Sequence, residues 1–352
     1  MATKIRHRTA EYWRKRFEAL EKLEHDKALA SYDQIAAEFQ KATRETEKEI
    51  AAFYARFADK NNVTLADAKR LLSTKELKEL RWTLSDYIKY AKKNELDGRW
   101  VRKLENASIL QRISRLEAVK LALQQHVEVA YGKTLEVIEK LAEDVFTDTY
   151  YHTGFEMAKG IGVTAAFASI DEKLIDKVVK KPWAADGLNF SDRIWTQKTQ
   201  MVNQLHTSLT RMLARGEAPT RAIKEMTKYV GDNFKNKQYA ARRLILTESA
   251  YFSSEAQKES FNEFGVEKYQ FVATLDFRTS EICQEMDKKV FDMKDYTIGV
   301  NAPPMHVNCR SVTVPYFEDR IDSERAARGL DGKTYYVPGN INYKEWKEKY
   351  VK

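Results

Sequence analysis

The sequence predicts an α+β protein: a mostly helical N-terminal half followed by a module of helices and a small antiparallel sheet. Three observations carry that prediction. No proline precedes Pro182, although a chain of average composition (about 5% proline) would show several in that span. Apolar residues through the first half recur at spacings of three and four, the period of an amphipathic helix. After Gly265 the period becomes two, with Tyr269, Phe271, Ala273 and Leu275 alternating with Gln270, Val272 and Thr274, as in a strand.

The elements follow in order. Residues 9–57 read as one long helix or two, through Trp13, Phe17, Leu20, Ala28, Tyr32, Ile35, Phe39, Ile50, Phe53 and Phe57. Asp59–Asn62 breaks the pattern, and Thr64 and Ser73 open new helices, the second with the Ser73/Glu76 capping box. Leu77, Leu80, Leu84 and Ile88 form the stripe of a helix ended by Asp97-Gly98. Trp100, Leu104, Ala107, Ile113 and Val119 continue on another, up to Tyr131-Gly132, and a further helix starts at Thr134. Gly154–Gly162 reads as a connection; its Gly160-Ile-Gly162 lacks the third glycine and the preceding strand of a phosphate loop. Lys180–Gly187 marks a boundary. Three helices follow, broken at Gly216 and Gly231, the last running from Lys237 to Phe264. Strands are expected at 269–275, 289–293 and 311–317, and a charged helix over the run IDSERAARG. The domains drawn from this reading are 1–190, 191–317 and a charged tail, 318–352.

At 352 residues the chain is long enough for two or three domains. No apolar run approaches the ~18 residues of a membrane span, so no membrane partner is expected. The basic N-terminus lacks the apolar core of a secretory signal. Two cysteines make no disulfide framework and suit a reducing compartment. A net charge of +8 with a pI near 9.1 permits a nucleic-acid partner without requiring one.

The stretch from Thr274 to Pro315 holds both cysteines, Cys283 and Cys309, and three of the six prolines. Two adjacent prolines stiffen the approach to His306. An ordered set runs through it: Asp276, Arg278, Cys283, Asp287, Val290, Phe291, Pro303, Pro304, His306, Asn308, Cys309 and Arg310. Upstream stand Arg243, Thr247 and Glu248. This set, over about residues 195–317, resembles the phage Mu F-like minor head proteins, the phage head-morphogenesis family. The resemblance implies a minor structural protein of a tailed-phage head that takes part in procapsid assembly. Its implied partners are the portal protein and the inner capsid, with contact to phage DNA in some members. The implied location is the capsid interior of the virion, reached from the host cytoplasm, and residues 1–190 would be a helical docking domain. No enzyme is implied. The alternatives are a metal-dependent nuclease or transferase effector built on the His306/Cys309 loop, and a stand-alone DNA-binding protein.

Cys283, His306 and Cys309 suit a structural zinc, which favours thiolate and imidazole in sets of four, two of them often on one tight turn. The family often has a second cysteine where this chain has Met286, and another at Ser311. A thioether is a poor zinc ligand, so Asp276, Asp287 or water would complete the shell. The competing reading is two small buried thiols and a histidine bonded to backbone. Asp276, Arg278, Arg310, Arg243 and Glu248 read as ion pairs fixing strand and loop against a helix. A carboxylate–arginine active site is the other reading, but no nucleophile–base pair stands at a recognisable spacing. Lys4, Arg6, Arg8, Arg14, Lys15 and Arg16, interleaved with Tyr12, Trp13 and Phe17, are candidate nucleic-acid contacts. They read equally as a solvated helix start with aromatics packed on a neighbour.

Overall fold

The computed structural model describes residues 8–57, 63–162, 170–184, 186–317, 324–328, 333–338 and 341–350. Lys4, Arg6 and the expected break at Asp59–Asn62 lie outside them. Helices fill the first half: α1 (Ala10–Phe57), α2 (Leu65–Ala68), α3 (Thr74–Lys93), α4 (Gly98–Ile109), α5 (Arg115–Ile161) and α6 (Glu172–Lys180). Then come α7 (Phe190–Arg215) and α8 (Pro219–Glu263). Strands β1 (Lys268–Val272), β2 (Val290–Asp292) and β3 (Val312–Pro315) enclose the short helix α9 (Glu281–Met286). A hairpin of β4 (Glu324–Arg328) and β5 (Thr334–Pro338) precedes α10 (Tyr343–Tyr350). The chain is thus helical with small antiparallel sheets near its C-terminal end, the predicted class.

Two compact units form, each from separated stretches of sequence. One comprises Met1–Ser31, Glu139–Asn189 and Arg243–Lys352; the other Tyr32–Ile138 and Phe190–Arg242. Helices α1, α5 and α8 each contribute residues to both.

Among the described residues the second of these units is built from helices. Its starts are chemically marked: Thr64 and Ser73 each form a full capping box, with Asp67 and Glu76. A third such pair went unread in the sequence. Ser114 Oγ accepts from Glu117 N and Glu117 Oε2 accepts from Ser114 N, so the helix expected to run from Trp100 to Gly132 instead breaks at 110–114. Leu84, Leu96, Trp100, Leu104, Ile113 and Leu121 pack into one apolar cluster. Phe39 meets Tyr131 edge to face at 5.3 Å.

His206 sits in this unit with Nε2 donating to the Lys120 carbonyl at 3.0 Å. Burial, seconded by the charges of Lys103 and Lys120, pushes its pKa down to about 4 despite that hydrogen bond. The unfolded chain therefore takes up a proton near pH 6.5 that the folded chain refuses until about pH 4. Stability from the neutral ring is complete above pH 6.5 and lost as pH falls toward 4. At ~1.4 kcal/mol per unit, reduced for partial exposure, the loss should be about 2 to 3 kcal/mol. Melting temperature recorded from pH 7 to 4 should show it, and His206→Gln, which keeps the N–H donor, should flatten that part of the profile. An unchanged slope in His206→Gln would assign the acid sensitivity elsewhere.

Three expected boundaries are corrected. The helix expected to end at Gly132 and the connection expected at Gly154–Gly162 are both part of continuous α5, which ends only as Gly162 turns to φ +80°. Gly231 likewise lies inside α8, so the three helices expected after the boundary are two. A glycine costs a helix only about 1 kcal/mol, which packing readily outweighs. At Gly132 and Gly160 it also has a packing use: a Cβ would lie 2.5 Å from Leu96 Cδ2 and 2.1 Å from the Trp13 ring, respectively. A fourth expectation, the helix over IDSERAARG, is also corrected: residues 324–328 form β4. Pairing with β5, Ala327 opposite Tyr335, places Ala327 in a core with Leu275, Val337, Tyr343 and Trp346. Tertiary burial overrides the helix preference of Glu, Arg and Ala.

In the unit holding the sheet, strand order is β2-β1-β3, all antiparallel. Tyr269, Val272, Val312 and Val314 from this sheet share a core with Trp13, Phe17 and Leu20 of α1, Met157 of α5 and Phe261 of α8. Trp13 and Phe17 of the basic N-terminal stretch are thus core residues, with Tyr12 packed against them.

Candidate metal centre

The centre is built from the connections of β1, β2 and β3. As β1 ends, Ala273 N–H donates to Asp287 Oδ1 at 2.9 Å, tying the chain on both sides of α9 together. Ser280 caps α9, its Oγ accepting from Cys283 N, which sets Cys283 one turn into the helix. On the other side, Pro303 and Pro304 join through a cis peptide, and the chain turns tightly at His306–Cys309, with Cys309 N donating to His306 O at 3.2 Å. Asn308 takes the left-handed conformation this turn needs, φ 59°, which Asn tolerates better than most residues. Thr247 of α8 holds that turn: Oγ1 accepts from Asn308 N at 3.1 Å and donates to the Arg243 carbonyl at 2.7 Å.

These supports bring the three expected donors together. Cys283 Sγ lies 3.3 Å from His306 Nε2 and 3.7 Å from Cys309 Sγ, and all three donor atoms fall within 4.8 Å of one another. Zn–S and Zn–N bonds of about 2.3 and 2.05 Å at a tetrahedral angle require about 3.8 Å between sulfurs and about 3.6 Å between sulfur and nitrogen. The observed spacings are close to those of a loaded site. His306 Nδ1 donates to the Val307 carbonyl at 2.8 Å, which leaves the Nε2 lone pair free to point at the sulfurs. Both cysteines are reduced and buried. The hydrogen bond from Cys283 and the nearby His306 pull Cys309 toward thiolate against the cost of burial. That same bond, with burial, holds Cys283 as the thiol, and Cys309 in turn raises the basicity of His306. The residues fit a zinc ion.

Asp276 and Asp287, the expected carboxylate completions, are committed elsewhere. Asp276 takes both Arg310 Nη1 and Nη2, at 2.7 and 2.9 Å, and also Arg278 N and Thr279 Oγ1. Burial alone would raise its pKa; the bidentate guanidinium and these donors hold it below the ordinary range. Asp287 serves Ala273. The Asp276–Arg310 pair therefore clamps β1 to the segment leading into β3, and Arg278, largely exposed, stands outside it at 3.9 Å.

The other motif residues separate. Glu248 Oε2 accepts from Trp183 Nε1 at 2.9 Å, and Trp183 stacks on Tyr251 at 5.2 Å. Arg243 contributes its carbonyl while its side chain is exposed. Val290 and Phe291 are β2 residues. In the N-terminal stretch Arg14 is 2% exposed, Lys15 pairs with Glu11, and Arg16 pairs with Glu156 while lying 3.5 Å over the Tyr12 ring. Arg8 is exposed beside Tyr12. Sequence reasoning missed Glu21 and Glu24, acids on the core side of α1. The readable signal was the gap between Leu20 and Ala28 in an otherwise apolar stripe.

Thr247, Asp276, Cys283, His306, Asn308, Cys309 and Arg310 are thus carried by helix α8 and the connections of the three-stranded sheet. Residues 203–314 match the family model described as Phage Mu protein F like protein. No curated protein and no solved structure matches the chain.

Proposed function

We propose that this chain is a minor structural protein of a tailed-phage head, built into the procapsid beside the portal, with its helical half as the docking part. The observation that carries the reading is the Mu F-like match over 203–314. Asp276 and Arg310 neutralise each other, and the histidine's second nitrogen is spent on a backbone carbonyl. That arrangement favours a scaffold over a nuclease or transferase. Docking is supported by Trp82 on α3 and Ile109 on α4, each 72% exposed. Contact with packaged DNA would rest on the exposed cations of the N-terminal stretch, Arg8 and Lys15 among the described residues.

Procapsids assembled from the phage's own coat and portal genes test this. The chain should copurify in few copies with portal-containing shells, be depleted from shells lacking portal, and be depleted again by Trp82→Ser with Ile109→Ser. Equal incorporation without portal would remove the portal from the reading.

We further infer that Cys283, His306 and Cys309 hold a structural zinc. Protein purified without chelator should carry about one equivalent, and Cys309→Ser should release it and lower the melting temperature. Protein that carries no zinc and takes none up would leave a plain buried thiol pair.

A further inference from the structure

The core side of α1 breaks its own rule after Leu20. Trp13, Phe17, Leu20 and Ala28 are buried and apolar, yet Glu21 and Glu24 occupy the turn between them. Glu24 is 2% exposed. Its Oε1 accepts from Lys27 Nζ at 3.1 Å, while its Oε2 is buried with no hydrogen-bond partner. A buried carboxylate oxygen left unpaired costs about 1–3 kcal/mol or more, so it calls for an occupant. Glu21 makes no hydrogen bond among the described residues, and the charge of Arg310 acts on it.

Both acids line one cavity of about 20 Å³, lined also by Ser249, Ser253 and Gln257 of α8 and by Cys309. A polar cavity needs roughly 10–15 Å³ to hold one water molecule. The cavity is therefore sized for a single water, and Cys309 lines it together with Glu21 and Glu24.

This juxtaposition meets a shortage at the metal centre. The Cys283–His306–Cys309 set supplies three donors, Asp276 and Asp287 are already bonded, and Met286 offers only a thioether. We propose that the fourth ligand of the zinc is a water lodged in this cavity and held there by the carboxylates of Glu21 and Glu24. The inference rests on the zinc reading above. Its consequence is that metal binding ties α1 to the loops of the sheet, through a residue pair over two hundred positions distant in sequence. Outer-sphere carboxylates of this kind orient a bound water and strengthen its donation to the metal.

Zinc affinity of the full chain, measured by competition with a chromophoric chelator, tests the proposal, together with zinc-edge X-ray absorption of the loaded protein. The wild type should show two sulfurs, one nitrogen and one further light atom around the ion. Glu24→Gln and Glu21→Gln should each weaken zinc by about 10- to 100-fold, as removal of outer-sphere partners does. Asp26→Asn, exposed on the same helix, should leave the affinity unchanged. Melting of the metal-free variants should stay close to that of the metal-free wild type, because burial pushes Glu21 and Glu24 toward the neutral acid, which Gln matches in size; this separates lost ligation from lost folding. Wild-type protein that binds no zinc would overturn the zinc reading and this one with it. Tight zinc in the wild type with unchanged affinity in both Gln variants would overturn this proposal alone.

Discussion

Gly160→Ala is expected to destabilise the protein by about 3 kcal/mol or more, for the sake of one methyl group. The Cβ would stand 2.1 Å from Trp13 Cη2, 2.7 Å from Cζ2 and 2.9 Å from Cζ3. None of these is the tip of a flexible chain. The Trp13 indole is fully buried among Phe17, Met157 and Val314, and Phe317 packs on it at 5.9 Å, so it has no empty rotamer to move into. Overpacking at such a point forces the two helices apart. Gly231→Ala makes the matched control, since nothing lies within 4 Å of its Cβ and it too is inside a long helix. There the substitution should stabilise by roughly 0.5–1 kcal/mol through helix propensity alone. Urea denaturation of both variants would show opposite signs. Trp13→Leu in the Gly160→Ala background should recover part of the loss; two variants of equal, small effect would mean that Trp13 does not pack on Gly160.

The same two glycines mark the limit of what the sequence makes legible. Read locally, Gly160 and Gly231 are equivalent interruptions, and only the partner across the interface distinguishes a spacer from a tolerated defect. Local signals were reliable where local chemistry decides the outcome. The Ser73/Glu76 box starts α3 because both bonds lie within four residues, and the alternation from Tyr269 gives β1 because one period serves one sheet. IDSERAARG failed for the converse reason: its partner, Thr334–Pro338, supplies the burial that makes it a strand. The Ser114/Glu117 pair is a plain oversight of a readable signal.

At the candidate site, the ligand triad was legible from cysteine and histidine spacing, since a turn of His-x-x-Cys needs no distant information. What surrounds it was not. Asp276 looked available for metal because nothing in the linear sequence pairs it with Arg310, and the bidentate clamp exists only once β1 and β3 are adjacent. Thr247 was readable as a motif residue, but its task, holding the Asn308 turn, is a tertiary fact.

Lys198→Met should cost about 3–5 kcal/mol, the range for removing one partner from a buried ion pair. Lys198 Nζ lies 2.8 Å from both Asp97 Oδ2 and Glu128 Oε2, in a site where the lysine is 6% exposed. Its ammonium also stands 4.3 Å over the Trp195 ring. The carboxylates have other donors, Arg99 N on Asp97 and Gln124 Nε2 on Glu128, but among the described residues no second cation of comparable burial. Burial would raise the Asp97 pKa, and the lysine hydrogen bond and charge more than reverse it, so the carboxyl is held below its ordinary range. A depressed carboxyl stabilises above its unfolded pKa, near 3.8, and that contribution is lost as pH falls through the folded value. Without the lysine the two facing carboxylates are left uncompensated and repel each other, a cost that is largest at high pH. The gap between wild type and Lys198→Met should therefore widen from pH 5 to pH 8 in urea melts. Adding Glu128→Gln should close much of it at pH 8 and little at pH 5. A gap independent of pH would show that Lys198 acts there through its packed alkyl chain and not through its charge.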